Sequence, residues 1–395
     1  MTAAHWAAAP ITHKEACAAL DEAVAQVLVN LPLYTHHCQN HSTVHGIYPI
    51  CDNVQWSCGF WPGEIWLSYE RTGDGVFRQA AAELVDSFAR RCAGQGAADA
   101  AGMGLLYTPS CVAAYRLTGN ETAKKTALLA AEHLLHRLCA EEGCRQAGGG
   151  QDGQEFWSGS LLDLPLLDWA AHTTGREEYA AAAQRHAAAC LTALFRPAGP
   201  VVFRGENGVP EVGCKGGLWA RGQAWGLYGS ILCYSAGRGR QYLAAFQRLA
   251  RLYLTRLPQD LVPYWDMTFT SGREEPRDSS AATIAACGLL EAARCLPAGE
   301  GAEYEILARR MLKSLATAYA VKEHRLGFGQ LLHGTYRKRG LYGTGMSDGV
   351  DECTAWGDYF YLEALTRLTS CWSPYWQSGR HSPAPARGER RTQNS

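Results

Sequence analysis

The chain has 395 residues, 47% of them apolar and 19% charged, with a formal net charge of -1. That is enough chain to bury one large core or two ordinary ones, and the near-neutral balance excludes a broad electrostatic footprint for nucleic acid. With no run of about 18 apolar residues, no membrane span is expected.

The first residues, Met1 to Pro10, lack a basic start and a sustained apolar stretch, so no secretory leader is expected. Helical spacing of apolar residues then begins at about 13–31 and recurs at 60–72, 75–92, 105–118, 121–139 and 157–174. It continues at 177–194, 220–236, 239–256, 278–295, 301–320 and 355–369. Four connections are short and built alike: Arg71-Thr-Gly-Asp74, Leu117-Thr-Gly-Asn120, Thr173-Thr-Gly-Arg176 and Ser235-Ala-Gly-Arg238. Glycine there supplies the left-handed residue that ends a helix, and Asp or Asn after it caps the next. The long connections, 34–59, 93–104, 140–156, 195–219, 257–277 and 321–354, carry Gly, Trp, Asp and Pro. Short turns alternating with long loops predict a closed ring of six helical hairpins, with the long loops gathered at one end to build a site. The expected fold is therefore all-α, a single domain over 1–373, followed by a basic, Pro/Ser/Gly-rich tail over 374–395 that reads as disordered.

Fifteen cysteines are spread singly, without a CxxC pair. Many, such as Cys17, Cys111, Cys190 and Cys287, fall inside apolar helical patterns and read as small buried hydrophobes of a reducing, cytoplasmic compartment. His36, His37, Cys38, His41 and His45 cluster without the paired spacing of a zinc module and read as a polar loop. No metal and no cofactor is expected.

The most telling segment is Trp219-Ala-Arg-Gly-Gln-Ala-Trp-Gly-Leu-Tyr228. It sets two indoles, a guanidinium and an amide at a helix start. Flat apolar faces suit a pyranose ring, and a planar fork of donors suits its carboxylate. Its competing reading is a core helix with two buried tryptophans.

Six further segments accompany it in order: Trp56-Ser-Cys-Gly-Phe-Trp-Pro-Gly-Glu-Ile-Trp66, Leu106-Tyr-Thr-Pro-Ser-Cys-Val-Ala-Ala-Tyr115, Leu164-Pro-Leu-Leu-Asp-Trp169, Pro276-Arg-Asp-Ser-Ser-Ala-Ala282, Gln330-Leu-Leu-His-Gly334, and Gly349-Val-Asp-Glu-Cys353 with Trp356-Gly-Asp-Tyr-Phe-Tyr361. Together these resemble the unsaturated glucuronyl hydrolases, glycoside hydrolase family 88, from about residue 50 to 376. The resemblance implies an (α/α)6 barrel acting on oligosaccharides with a 4,5-unsaturated uronic acid at the non-reducing end. It further implies hydration of the C4=C5 vinyl ether: an aspartic acid protonates C4, water adds at C5, and the hemiketal collapses to release the sugar. Such an acid must keep its proton near neutral pH. On this resemblance the uronic-acid oligosaccharide is the partner, contacted by Trp56, Trp219, Arg221, Gln223, Trp225 and His333. Arg221 would grip the carboxylate.

The departures fall on the chemistry. The two family aspartate positions are Gly102 and Gly159, and a stacking tryptophan expected after Gln146-Ala147 is Gly148. Glycine cannot carry a proton on its side chain, so the catalytic group is left unassigned. The carboxylates nearest these positions are Asp163, one helical turn after Gly159, and Asp99, three residues before Gly102. Asp163 also reads as a polar neighbour of the site and Asp99 as a loop residue. Asp278 reads as a helix cap, Asp351 and Glu352 as loop anchors, and Trp66 as core. The reading is a hydrolase of this type with catalytic competence in question. Its alternative is a pseudoenzyme or binding protein for uronic oligosaccharides. A different activity on the same barrel, such as a sugar epimerase or a mannosidase-like enzyme, would need a pair of pocket histidines or carboxylates, and the sparse histidines of these segments argue against the epimerase.

Overall fold

A computed structural model describes residues 9–94, 102–140, 158–194, 218–270, 274–338 and 348–377. Among them the chain forms α1 (His13–Tyr34), α2 (Phe60–Thr72), α3 (Gly75–Ala93), α4, α5 (Glu121–Ala140), α6 (Leu164–Thr174) and α7 (Glu177–Leu194). It continues with α8 (Ala220–Ser235), α9 (Arg240–Thr255), α10 (Ser279–Cys295), α11 (Ala298–Ser314) and α12 (Ala355–Thr369). Here α4 is one rod, Met103–Tyr107 running through a π-turn, Thr108–Val112, into Ala113–Thr118. A 3₁₀ turn, Ser158–Leu162, leads into α6. These twelve rods fall on the spans the apolar spacing predicts.

Even-numbered helices form the inner ring. α8 is buried all round from Ala220 to Cys233, and α10 from Ser279 to Ala292, as expected for helices apolar on every face. Odd-numbered helices are one-sided: α9 buries Tyr242, Ala245, Phe246, Leu249, Ala250, Tyr253 and Leu254, one stripe of its surface. The inner helices pack in succession, with α8 meeting α6 through the 3₁₀ turn at 158–162, and α12 returns to α2, closing the ring. The 22-residue α1 is long and apolar enough to cross a membrane. Here it packs in the outer layer against α12, and ion pairs on its polar face join Asp21 to Arg71 and Glu15 to Lys313.

The short turns work as the sequence predicts. Gly73, Gly119 and Gly175 end α2, α4 and α6 in the left-handed region, at φ 72°, 71° and 75°. Asp74 then caps α3, and Asn120 accepts from the Ala123 N–H. Every inner helix therefore starts at the long-loop end, so six positive helix termini converge on one mouth.

Opposite the mouth the barrel is closed by a buried charge network. Arg367 on α12 donates to Glu291 (2.9 Å), Glu363 (3.0 Å) and the Tyr228 hydroxyl (2.7 Å). Trp376 Nε1 donates to Glu363 at 2.7 Å.

Two expectations change. Residues 374–377 are not tail. Tyr375 and Trp376 are buried, and Arg116 donates to the carbonyls of Pro374, Tyr375 and Gln377. Two aromatic side chains with polar partners outweigh the Pro/Ser composition that follows; 378–395 lie outside the described residues. Among the described residues there are also two small antiparallel pairs at the mouth: β1 (Cys38–Gln39) with β2 (Ile50–Cys51), and β3 (Gly334–Arg337) with β4 (Asp348–Glu352). They are too short for a two-residue alternation to show in the sequence.

Candidate functional site

At the mouth, aromatic rings from four segments meet. Trp56, just before α2, stacks on Trp356 of α12 at 4.9 Å and 27°. Tyr336 of β3 lies 5.3 Å from Trp356 and 6.5 Å from Trp56. The Arg221 guanidinium sits over Trp219 and Trp356, both at 4.7 Å, and over Tyr336 at 5.6 Å. Gln223, one turn along α8 from Trp219, is 2% exposed, and its Oε1 has no hydrogen-bond partner. A buried amide oxygen of this kind is costly unless something at the site satisfies it.

Arg221 does a different job from the one expected of it. It is 4% exposed, and it donates from Nη1 to the Thr335 carbonyl at 2.6 Å and from Nη2 to the Tyr336 carbonyl at 2.7 Å. Asp278 Oδ2 is 3.6 Å from Nη1. Burial pushes both groups toward their neutral forms, while each holds the other charged. The fork thus holds β3 against α8 and α10. The sequence offers a guanidinium but cannot show which acceptors occupy it.

Trp225 is also reassigned. It is fully buried and meets Phe360 edge-on at 5.4 Å, inside the barrel core. An inner-ring helix buries its whole circumference, so six residues after the mouth-facing Trp219 an indole lies deep in packing. His333 stands apart from the aromatic group. Its φ is +64°, its Nδ1 pairs with Asp351 Oδ1 at 2.6 Å, and its ring meets Tyr319 at 5.6 Å. Trp66 is core, as expected. Asp278 caps α10 through the Ala281 N–H. Glu352 anchors the first long loop, accepting from the His45 and Gly46 N–H groups at 2.8 and 3.0 Å.

Gly102 opens α4 at φ 71° and ψ 40°, and its carbonyl accepts from the Leu106 N–H at 2.9 Å. Gly159 lies in the 3₁₀ turn before α6. Between these two segments sits Asp163, 3% exposed, whose Oδ1 accepts from the Gly104 N–H at 2.6 Å and whose Oδ2 is 3.7 Å from Arg137. Burial raises its pKa to about 6, against Arg137 and the Gly104 N–H. Oδ1 braces the start of α4 to the start of α6, while Oδ2 faces the Arg137 guanidinium of α5. Asp99 and Gly148 lie outside the described residues.

Two members of the site went unassigned in the sequence. Trp356 lies inside a quoted motif, yet nothing local marks its ring as a mouth residue. Tyr336 is placed only by the β3–β4 pairing. His41, grouped above with a polar loop, lies tilted against Tyr336 at 4.3 Å and pairs with Asp348 at 3.2 Å. Burial lowers its pKa. Among the described residues, no group of His, Cys, Asp or Glu is arranged to hold a metal ion.

Comparison with known proteins decides the family. The sequence profile of Glycosyl Hydrolase Family 88 matches residues 34–343. The chain belongs to this family. It is 35% identical over 385 residues to an unsaturated chondroitin disaccharide hydrolase of Streptococcus pneumoniae, covering 93% of this chain and 95% of that one. It is equally 35% identical, over 376 residues, to an unsaturated glucuronyl hydrolase of Bacillus sp., covering 91% and 98%. The family 88 fold matches too: a crystal structure of unsaturated glucuronyl hydrolase from Streptococcus agalactiae superposes with TM-score 0.82 at 34% identity, over 93% of this chain and 95% of that one. An Asp→Asn variant of that enzyme, complexed with dGlcA-GalNAc6S, matches with TM-score 0.80 at 33% identity over 93% and 94%. The (α/α)6 barrel expected from the sequence is thus this chain's fold.

Proposed function

We propose that the mouth of this barrel binds the 4,5-unsaturated uronyl end of a glycosaminoglycan-derived oligosaccharide, with vinyl-ether hydration crippled by glycine at positions 102 and 159. The observation that carries the binding is the partly open rings of Trp56, Tyr336 and Trp219, backed by the buried Trp356, with the unsatisfied Gln223 Oε1 one helical turn from Trp219. Flat apolar faces with one fixed polar atom are what a pyranose ring requires. The converging helix N-termini favour its carboxylate. Relatives named for unsaturated chondroitin disaccharides support the substrate class.

The loss of turnover rests on proton placement. A general acid must reach the reacting carbon within hydrogen-bond distance. Asp163 has a suitable pKa of about 6, yet its oxygens serve the Gly104 N–H and Arg137. Thirteen cysteines among the described residues are free thiols, which supports a reducing, cytoplasmic setting.

The test is loss of ultraviolet absorbance by an unsaturated chondroitin disaccharide. Gly102→Asp with Gly159→Asp is expected to raise the rate by about 10²–10⁴-fold, the usual reach of a placed general acid. Asp is among the residues that tolerate the left-handed backbone at position 102. A parent protein as fast as the double variant would refute the impairment. A folded parent that binds no uronyl disaccharide in calorimetry would refute the site.

A further inference from the structure

Among the described residues, the outer helices differ in charge pattern. α1, α3, α5, α7 and α11 each mix acidic with basic residues, as Glu83 and Asp86 do with Arg78 and Arg90 on α3. α9 carries no acidic residue. Its charges are Arg240, Arg248 and Arg251, and Arg256 follows as its C-cap. All four are exposed, in a chain whose net charge is -1. Arg248 and Arg251 stand one turn apart, a spacing at which like charges oppose the helix. The side chains of Arg240, Arg251 and Arg256 have no hydrogen bond or ion pair among the described residues. Glu300 of α11 meets α9 through Gln247, an uncharged partner, at 2.8 Å.

The spacing aligns these charges. At about 100° per residue, Arg240, Ala244, Arg248, Arg251 and Thr255 fall within about 80° of one another. They form one track about 22 Å long, at about 1.5 Å per residue. The outer helices run toward the mouth, so the track ends there, beside Arg256. The apolar stripe of α9 is buried in the barrel, which leaves nothing to insert into a bilayer. No aromatic residue is exposed on α9, so nucleic-acid bases would find no ring to stack on. What the face offers is a row of guanidinium forks, and these match oxyanions.

We propose that this face of α9 docks an acidic polysaccharide, whose repeating carboxylate and sulfate groups lie along the arginine track. Docking holds the barrel on the polymer whose fragments the mouth accepts. The choice of a polysaccharide rests on the uronide reading of the mouth; the cationic face does not.

The test is fluorescence anisotropy of labelled chondroitin sulfate with saturated ends, titrated with the full-length protein in about 50 mM NaCl. Arg240→Gln with Arg248→Gln and Arg251→Gln is expected to weaken binding by about tenfold, and about 0.5 M NaCl to abolish it. A control variant replaces Arg78, Arg90 and Lys125, exposed on α3 and α5, by Gln. It changes the net charge equally and should bind within about twofold of the parent. Every substituted side chain is exposed, and urea midpoints check that each variant is folded. A control as weak as the α9 variant would show net charge alone at work and overturn the docking face. So would a parent that does not bind the polymer. Tighter binding of duplex DNA, or of phosphatidylserine vesicles, at the same salt would overturn the choice of partner. Trp56→Ala separates the two sites, because it should weaken the disaccharide and leave the polymer. Release of the polymer by Trp56→Ala would place it in the mouth and overturn the α9 assignment. Polymer held through the arginines by a protein that binds no disaccharide would support α9 docking and sink the mouth reading alone.

Discussion

Replacing Arg221 by alanine separates a bracing role from a ligand-gripping one. The change removes two charge-assisted hydrogen bonds, to Thr335 O at 2.6 Å and Tyr336 O at 2.7 Å, each worth about 1.5–3 kcal/mol. It also strands Asp278, which is fully buried and 3.6 Å from the lost guanidinium; breaking such a pair typically costs about 3–5 kcal/mol. These contributions share partners and do not add, so we expect a loss of about 4 kcal/mol in urea unfolding at pH 7. Without Arg221 the Asp278 pKa rises further in the folded state. A raised folded pKa gives stability that is present at low pH and lost as pH rises, so the deficit should be smaller at pH 5 than at pH 8. Asp278→Asn in the Arg221→Ala background should recover part of it, since asparagine still caps α10. A ligand-gripping Arg221 predicts the reverse: affinity down by tenfold or more with stability nearly unchanged. A stability change below about 1 kcal/mol alongside abolished uronide binding would sink the bracing assignment.

Other expectations follow from the same geometry. Burial raises Asp358 to about 7 and Asp163 to about 6. Their contribution is therefore greatest below the ordinary carboxylate range and is lost as pH climbs through 6 and 7. Urea midpoints should fall between about pH 5 and 8, and Asp358→Asn should flatten that fall; a parent slope unaltered by the substitution would contradict the assignment. Trp225→Ala should cost about 3–5 kcal/mol as a core deletion, while Trp56→Ala should leave the unfolding midpoint almost in place and weaken disaccharide binding by about tenfold. Calorimetry and denaturation on the same two samples distinguish these. Arg367→Ala strands Glu291 and Glu363, neither of them exposed, and should destabilise by about 3–5 kcal/mol without altering the affinity of the folded fraction.

Helix number, order and boundaries were legible in the sequence because they rest on local rules. Apolar spacing sets each rod, and a left-handed glycine followed by Asp or Asn sets each tight turn, as Gly73-Asp74 and Gly119-Asn120 show. The ring itself was legible from the alternation of short and long connections. The glycines at 102 and 159 were equally plain, since a residue's identity needs no structure to be read. What tertiary structure decided was the use to which each polar or aromatic side chain is put. Arg221, Trp219 and Trp225 lie in one segment, yet one clamps β3 through its carbonyls, one borders the mouth, and one fills the core. Trp356 and Tyr336 join the mouth from far along the chain, and Asp163 spends its carboxylate bracing two helices. Local propensity depends on neighbours within a turn or two. A side chain's role depends on which acceptors and rings, hundreds of residues away, the closed barrel brings within a few ångströms of it.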